Sequence, residues 1–128
     1  MGAVLIVGLG GFVGAVVRYL AVLGVGRWTW SATFPVPVGV LLVNLAGCLL
    51  IGMLKGLADA QEWFTPRLTL LVFTGVLGSF TTFSTFGLET VELLQARAWL
   101  SALSYVGLSV VLGVVLVWFG YKISVSLA

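Results

Sequence analysis

The sequence predicts an all-α integral membrane protein: four transmembrane helices in a single domain, residues 1–128, with a break in the third helix. Three observations predict it. Hydrophobic residues make up 61% of the chain and charged residues 8%, which leaves too little polar surface to keep a globule in water. Four apolar stretches, residues 3–24, 36–58, 68–91 and 98–121, each supply the roughly 20 residues that a helix needs to span a bilayer. All five tryptophans (Trp28, Trp30, Trp63, Trp99 and Trp118) fall in connectors or near span ends, where amphipathic rings favour the membrane interface.

The first span opens on "MGAVLIVGLGG", which has no basic n-region, so its helix is expected to be retained rather than cleaved as a signal peptide. The opening "MGAVLI" also lacks the Ser/Thr of a myristoylation signal. Its "GLGGFVGA" places glycines at 8, 10, 11 and 14 and misses the G-x-G-x-x-G spacing of a dinucleotide site. Small residues four apart, Gly10 with Gly14 and Gly11 with Ala15, instead let helices approach closely. Arg18 lies inside the end of this span, where it either snorkels to the interface or faces a wet vestibule and concentrates anions.

Pro35 and Pro37 open the second span, at helix positions where a missing N–H costs least. Within it, Asn44 sits in "LLVNLAG", a buried amide that must find partners across helices or along a pathway. Cys48, the only cysteine, reads as a small buried hydrophobe. Pro66 precedes the third span, and the fourth carries Ser101, Tyr105 and Ser109 every four residues, a narrow hydroxyl stripe on an apolar helix.

The third span holds "GVLGSFTTFSTFG", residues 75–87, with three phenylalanines, five hydroxyls and three glycines. Glycine weakens a helix, and threonine adds β-branched strain. A local break is therefore expected near residues 78–82. Backbone freed there is tolerated in a bilayer only where protein buries it, a cavity is lined by it or an ion binds it. The simpler alternative is a kinked helix whose hydroxyls bond their own i−4 carbonyls. Phe83 and Phe86, and likewise Thr81 and Thr85, have the spacing to share a helix face.

Charge excludes several functions. The net charge of +2 comes without a basic run, so no nucleic-acid footprint exists. With no histidine and one cysteine, an internal disulfide and the usual His/Cys metal sites are excluded, and so is a nucleophile–base pair. Glu89 and Glu92 read as interfacial charges near Arg97, Glu89 being a candidate for a pore mouth, and Asp59 and Glu62 as a solvated loop; no carboxylate is expected at mid-membrane. Lys55, Arg67 and Lys122 fall on one side of the membrane, and Arg18, Arg27 and Arg97 on the other. That balance leaves two readings open: a chain weakly oriented by chance, or one that inserts both ways and pairs with its inverted copy. Neutral hydroxyls, one amide and aromatic ring edges then suggest a narrow ion pathway, and these groups alone do not fix the sign of the ion.

"GGFVGAVVRY", "GVLLVNLAGCLLIG" and "GVLGSFTTFSTFGLE" together resemble the bacterial fluoride channels of the Fluc family across nearly the whole chain. The resemblance implies passive, fluoride-selective export through the bacterial cytoplasmic membrane, not enzyme chemistry. It implies an inverted, dual-topology homodimer with two pores, and a structural sodium ion at the dimer centre held by backbone carbonyls matching Gly78 and Thr81. By the same resemblance Phe83, Phe86 and Asn44 line the pathway, with Ser84, Thr85, Tyr105 and Ser109 as its polar track and Arg18 at the vestibule. Two positions depart from the family pattern: Val40 and Gly113 stand where relatives carry hydroxyls. A small four-helix multidrug transporter is a rival, but it needs a glutamate in the first helix, and none is present. A non-transporting assembly subunit is the other rival.

Overall fold

The structure, a computed structural model, describes residues 2–29 and 36–127, without the side chains of residues 27–29. Trp30 and Pro35, and the side chains of Arg27 and Trp28, lie outside what is described. Four helical stretches are long and apolar enough to cross a membrane: Gly2–Gly26, Val38–Ala60, Pro66–Gln95 and Trp99–Leu127. Helix α1 (Gly2–Thr29) and α2 (Val38–Ala60) are continuous. The third span is composite: α3 (Pro66–Thr69), a π-helical segment (Leu70–Leu77), α4 (Gly78–Phe80), an extended step at Thr81 and Thr82, then α5 (Phe83–Gln95). Helix α6 (Trp99–Leu127) is continuous.

The ends follow local rules. Pro37 caps α2, and Pro66 takes the first helical position of α3 behind Thr65, whose side chain accepts the Leu68 N–H. Arg97 adopts φ 57 after α5, and Arg97 N and Ala98 N donate back to the carbonyls of Leu94 and Leu93. That is a helix stop closed by a left-handed residue, here without glycine. Two expected spans are short of the observed helices: α1 runs to Thr29 and α6 to Leu127, against predicted ends at 24 and 121. Apolar periodicity ends where the bilayer ends, while hydrogen bonding carries a helix into the interface.

Glycines set which spans meet. A Cβ on Gly10 would lie 2.6 Å from Leu71 O, and one on Gly14 would overlap Val76 O. The expected small-residue face of α1 is therefore used, against the backbone of the π-helical segment. Rising residue numbers match on both sides, so the first and third spans run parallel. Gly52 meets Val117 O, Gly56 meets Tyr121 O, and Gly120 would place a Cβ 2.5 Å from Leu49 O, so α2 and α6 also run parallel. Two parallel pairs joined by short connectors require the chain to alternate direction at each crossing. The buried cluster of Val36, Leu41 and Tyr105, with Leu45, Phe86 and Leu93 against it, sits where α2, α5 and α6 converge beside the break.

Candidate ion pathway at the helix break

The break falls between Thr81 (φ −85, ψ 155) and Thr82 (φ −145, ψ 114), at the end of the window the sequence predicts. The π-helical segment before it was not predicted; its wider turn loosens the helix one step ahead of the break. The half-helix that stops at Phe80 ends in carbonyls, and α5 starts with N–H groups. The break thus sets a partly negative helix end beside a partly positive one.

Asn44 holds the extended step from α2. Its Nδ2 donates to Thr82 O at 3.1 Å, and its Oδ1 accepts the Thr82 N–H at 2.8 Å. Gly47, one turn along α2, gives the break room, because a Cβ there would overlap Thr81 Cγ2. Thr82 is buried and is the N-cap of α5: its hydroxyl oxygen accepts the Thr85 N–H at 3.2 Å. The same oxygen lies 2.9 Å from Thr85 Oγ1 and 3.3 Å from Ser84 Oγ. The alternative of hydroxyls bonding i−4 carbonyls holds for Thr81, which donates to Leu77 O at 3.1 Å, and it does not describe Thr82, Ser84 and Thr85, which group around the Thr82 hydroxyl.

A cavity of about 340 Å³ opens at this point, and its walls include Asn44, Cys48, Thr82, Phe83, Phe86 and Ser109. Ser109 Oγ is buried there without a hydrogen-bond partner among the described residues, a donor left free in the wall. The rings of Phe83 and Phe86 lie 5.5 Å apart, and Phe86 lies 5.2 Å from Tyr105, so the three form a tilted aromatic ladder. Tyr105 is fully buried, and its hydroxyl donates to Glu89 Oε2 at 2.5 Å.

Of the expected pathway residues, the structure brings Asn44, Phe83, Phe86 and Ser109 to the cavity. Ser84, Thr85 and Tyr105 do not line it; the first two join it through Thr82 and the third through Phe86. Two expectations are corrected, those for the Thr81–Thr85 pair and for Arg18. Thr81 and Thr85 do not share a helix face, because the break separates them and Thr85 pairs with Thr82 instead. Glu89, read as an interfacial charge or as one at a pore mouth, is half-buried against Tyr105. Arg18 lies farther from its helix end than the sequence implied, since α1 continues to Thr29. It is half-buried, one turn beyond Gly14, which abuts Phe80 N, and so sits near the level of the break. Gly78 and Thr81 flank the turn, Gly78 exposed and Thr81 half-buried.

Thr82 was missed as a site residue, and the pairing of Tyr105 with Glu89 was missed too. Thr82 carried a readable signal, a threonine immediately before an amphipathic helical run. The Tyr105–Glu89 pairing carried none, because the two residues come from different spans. Cys48 is half-buried and faces the cavity, and its Sγ lies 3.4 Å from where a Cβ on Gly113 would stand. The thiol therefore occupies the space beside Gly113, at one rung where the polar track departs from the expected pattern.

Comparison with known proteins decides the family. A family profile described as "CrcB-like protein, Camphor Resistance (CrcB)" matches residues 5–121. The chain belongs to the CrcB family. Among CrcB-family relatives, a protein named fluoride-specific ion channel FluC from Methylobacillus flagellatus is 42% identical over 120 residues, covering 94% of this chain and 92% of its own. A protein of the same name from Flavobacterium psychrophilum is 39% identical over 127 residues, covering 99% and 100%. Fluoride-specific ion channel FluC 1 from Geobacillus kaustophilus is 42% identical over 125 residues, covering 96% and 98%. This CrcB-family chain is a multi-pass membrane protein with four spanning helices.

Proposed function

We propose that the chain is a passive, fluoride-selective channel that exports fluoride across the bacterial cytoplasmic membrane. The observation that carries this reading is the cavity at the break, walled by the Phe83 and Phe86 rings, the Asn44 amide and the unpartnered Ser109 hydroxyl. Fluoride is small and strongly hydrated, so entering a narrow passage costs a great deal unless donors replace its water. Hydroxyl O–H groups, the second N–H of Asn44 and the positive edges of phenyl rings are such donors. Among the described residues, no carboxylate lines the cavity to repel an anion. The Phe83–Phe86–Tyr105 ladder leads the ion from the cavity between α5 and α6, and Ser84 and Thr85 extend the hydroxyl track through Thr82.

The working unit is an inverted homodimer. The single chain exposes 8439 Å², against about 6,500 Å² for a compact monomer of this mass. Phe83, an aromatic at the break, is 83% exposed. Basic residues balance across the two membrane sides, so neither orientation is favoured. A second, inverted copy would cover the open side of each break.

A structural sodium ion fits the same place. In an unbroken helix Gly78 O would accept the Thr82 N–H and Thr81 O the Thr85 N–H. Here the first N–H goes to Asn44 Oδ1 and the second to Thr82 Oγ1. Two carbonyls per chain are thus released at a half-helix C-terminal end, and neutral oxygen donors suit a hard cation. Bound there, sodium would offset the carbonyl dipoles and tie the two copies together.

The reading is tested by growth. A fluoride-sensitive bacterial strain expressing the chain should regain growth in fluoride, and the same strain expressing Phe83→Ile should not. Equal sensitivity with and without the chain, at matched membrane expression, would refute it.

A further inference from the structure

Asn44 and Thr82 do more than wall a pathway. We infer that they are the positioning residues that create the cation site, by taking from Gly78 O and Thr81 O the two N–H groups that would otherwise close the helix over them. This rests on the sodium reading above and adds which side chains make the site. Both diversions are visible as bonds. The Thr82 N–H reaches Asn44 Oδ1 at 2.8 Å, and the Thr85 N–H reaches Thr82 Oγ1 at 3.2 Å.

The two side chains are not equivalent. Asn44 belongs to α2 and makes its bonds across 38 positions of sequence, so it reports the docking of α2 on the break. Thr82 acts locally, as the cap of α5. Asn44 also accounts for both polar groups of the Thr82 peptide unit pair, since Nδ2 donates to Thr82 O. Removing the amide strands a buried N–H at Thr82, and the nearest way to satisfy it is the helical bond back to Gly78 O. That bond would reclaim a carbonyl from the cation. Because Asn44 also lines the cavity with Phe83 and Phe86, one side chain links the pathway wall to the cation site. Sodium and pathway geometry are therefore coupled through the Thr82 backbone.

The test reads sodium binding without ion flux. Purified protein is unfolded thermally in sodium and in a bulky organic cation, and the sodium concentration that gives half the stabilisation is recorded. The wild type should be stabilised by sodium, because a ligand of the folded state raises its midpoint. Asn44→Ala and Thr82→Val should each need roughly tenfold more sodium, the loss of about one hydrogen bond's control of a donor. Thr82→Ser keeps the accepting oxygen and should respond like the wild type. Thr90→Ala removes an unrelated hydroxyl that bonds Phe86 O, and should also respond like the wild type. If Asn44→Ala does not fold, the Thr82→Val and Thr82→Ser pair decides the result alone. A wild type indifferent to sodium would overturn the cation reading itself and this role with it. A sodium-responsive wild type with Asn44→Ala and Thr82→Val responding at the same concentration would overturn only the positioning role.

Discussion

Gly47 offers the sharpest test of how the break is held. An alanine there would drive its Cβ into Thr81 Cγ2, while its next neighbours, Phe80 Cδ1 at 3.4 Å and Cε1 at 3.7 Å, are ordinary contacts. Thr81 has little freedom to turn away. Its N–H and its hydroxyl both bond Leu77 O, each at 3.1 Å, and rotating the side chain gives up the second bond. Overpacking of this kind costs about 1–3 kcal/mol. The clash is with one methyl, so Thr81→Ser should relieve it and keep the hydroxyl bond and the backbone carbonyl. By itself Thr81→Ser removes a half-buried methyl, worth at most about 0.8 kcal/mol. Gly47→Ala should then lose stability and fluoride efflux, and the double variant should recover most of both, with a coupling energy of about 1–2 kcal/mol. Thermal unfolding of purified protein and efflux from proteoliposomes read the two quantities. Additive losses in the double variant would mean that Gly47 does not seat the break through Thr81, and the close approach of α2 would need another cause.

Other consequences can be measured with the same preparations. Phe83→Ile and Asn44→Asp should abolish fluoride efflux while the protein still assembles; undiminished efflux in both would sink the pathway assignment. Tyr105→Phe keeps the ring against Phe86 and removes the donor to Glu89, so it should cost about 1–3 kcal/mol in thermal unfolding. A variant as stable as the wild type would show that the Tyr105–Glu89 bond is not a structural tie. Gly120→Ala should separate α2 from α6 and lower the unfolding midpoint, because its Cβ would meet Leu49 O at 2.5 Å. Gly107→Ala, with nothing within 4 Å of the new Cβ, should be neutral or slightly stabilising. The reverse order would refute the glycine packing of that helix pair.

The helices were legible because a bilayer enforces them: a run of apolar residues has no other way to satisfy its backbone. The break was legible for the opposite reason, since "GVLGSFTTFSTFG" concentrates residues that weaken a helix where the bilayer would punish weakness. Its position was set by contacts that a sequence does not display. Asn44 reaches across to Thr82, and Gly47 clears space for Thr81. The same limit explains why the sequence left Asn44 open between joining helices and lining a pathway, and why it did not show the Tyr105 partner of Glu89. The glycines of α1 were recognised from their spacing. Those of α2 and α6 were not, because Gly52, Gly56 and Gly120 face the backbone of Val117, Tyr121 and Leu49 only once the two helices are set side by side. Gly113 looked like a missing rung in the polar track, and the structure puts the Cys48 thiol beside it.

The most direct test of the central claim is anion efflux from liposomes holding the purified protein, with fluoride and chloride measured side by side. Rapid fluoride efflux with chloride retained is the predicted result, because a passage walled by Phe83, Phe86 and a few O–H and N–H donors fits a small, strongly hydrated anion and excludes a larger one. Equal release of both ions, or no fluoride release from well-folded protein, would contradict it.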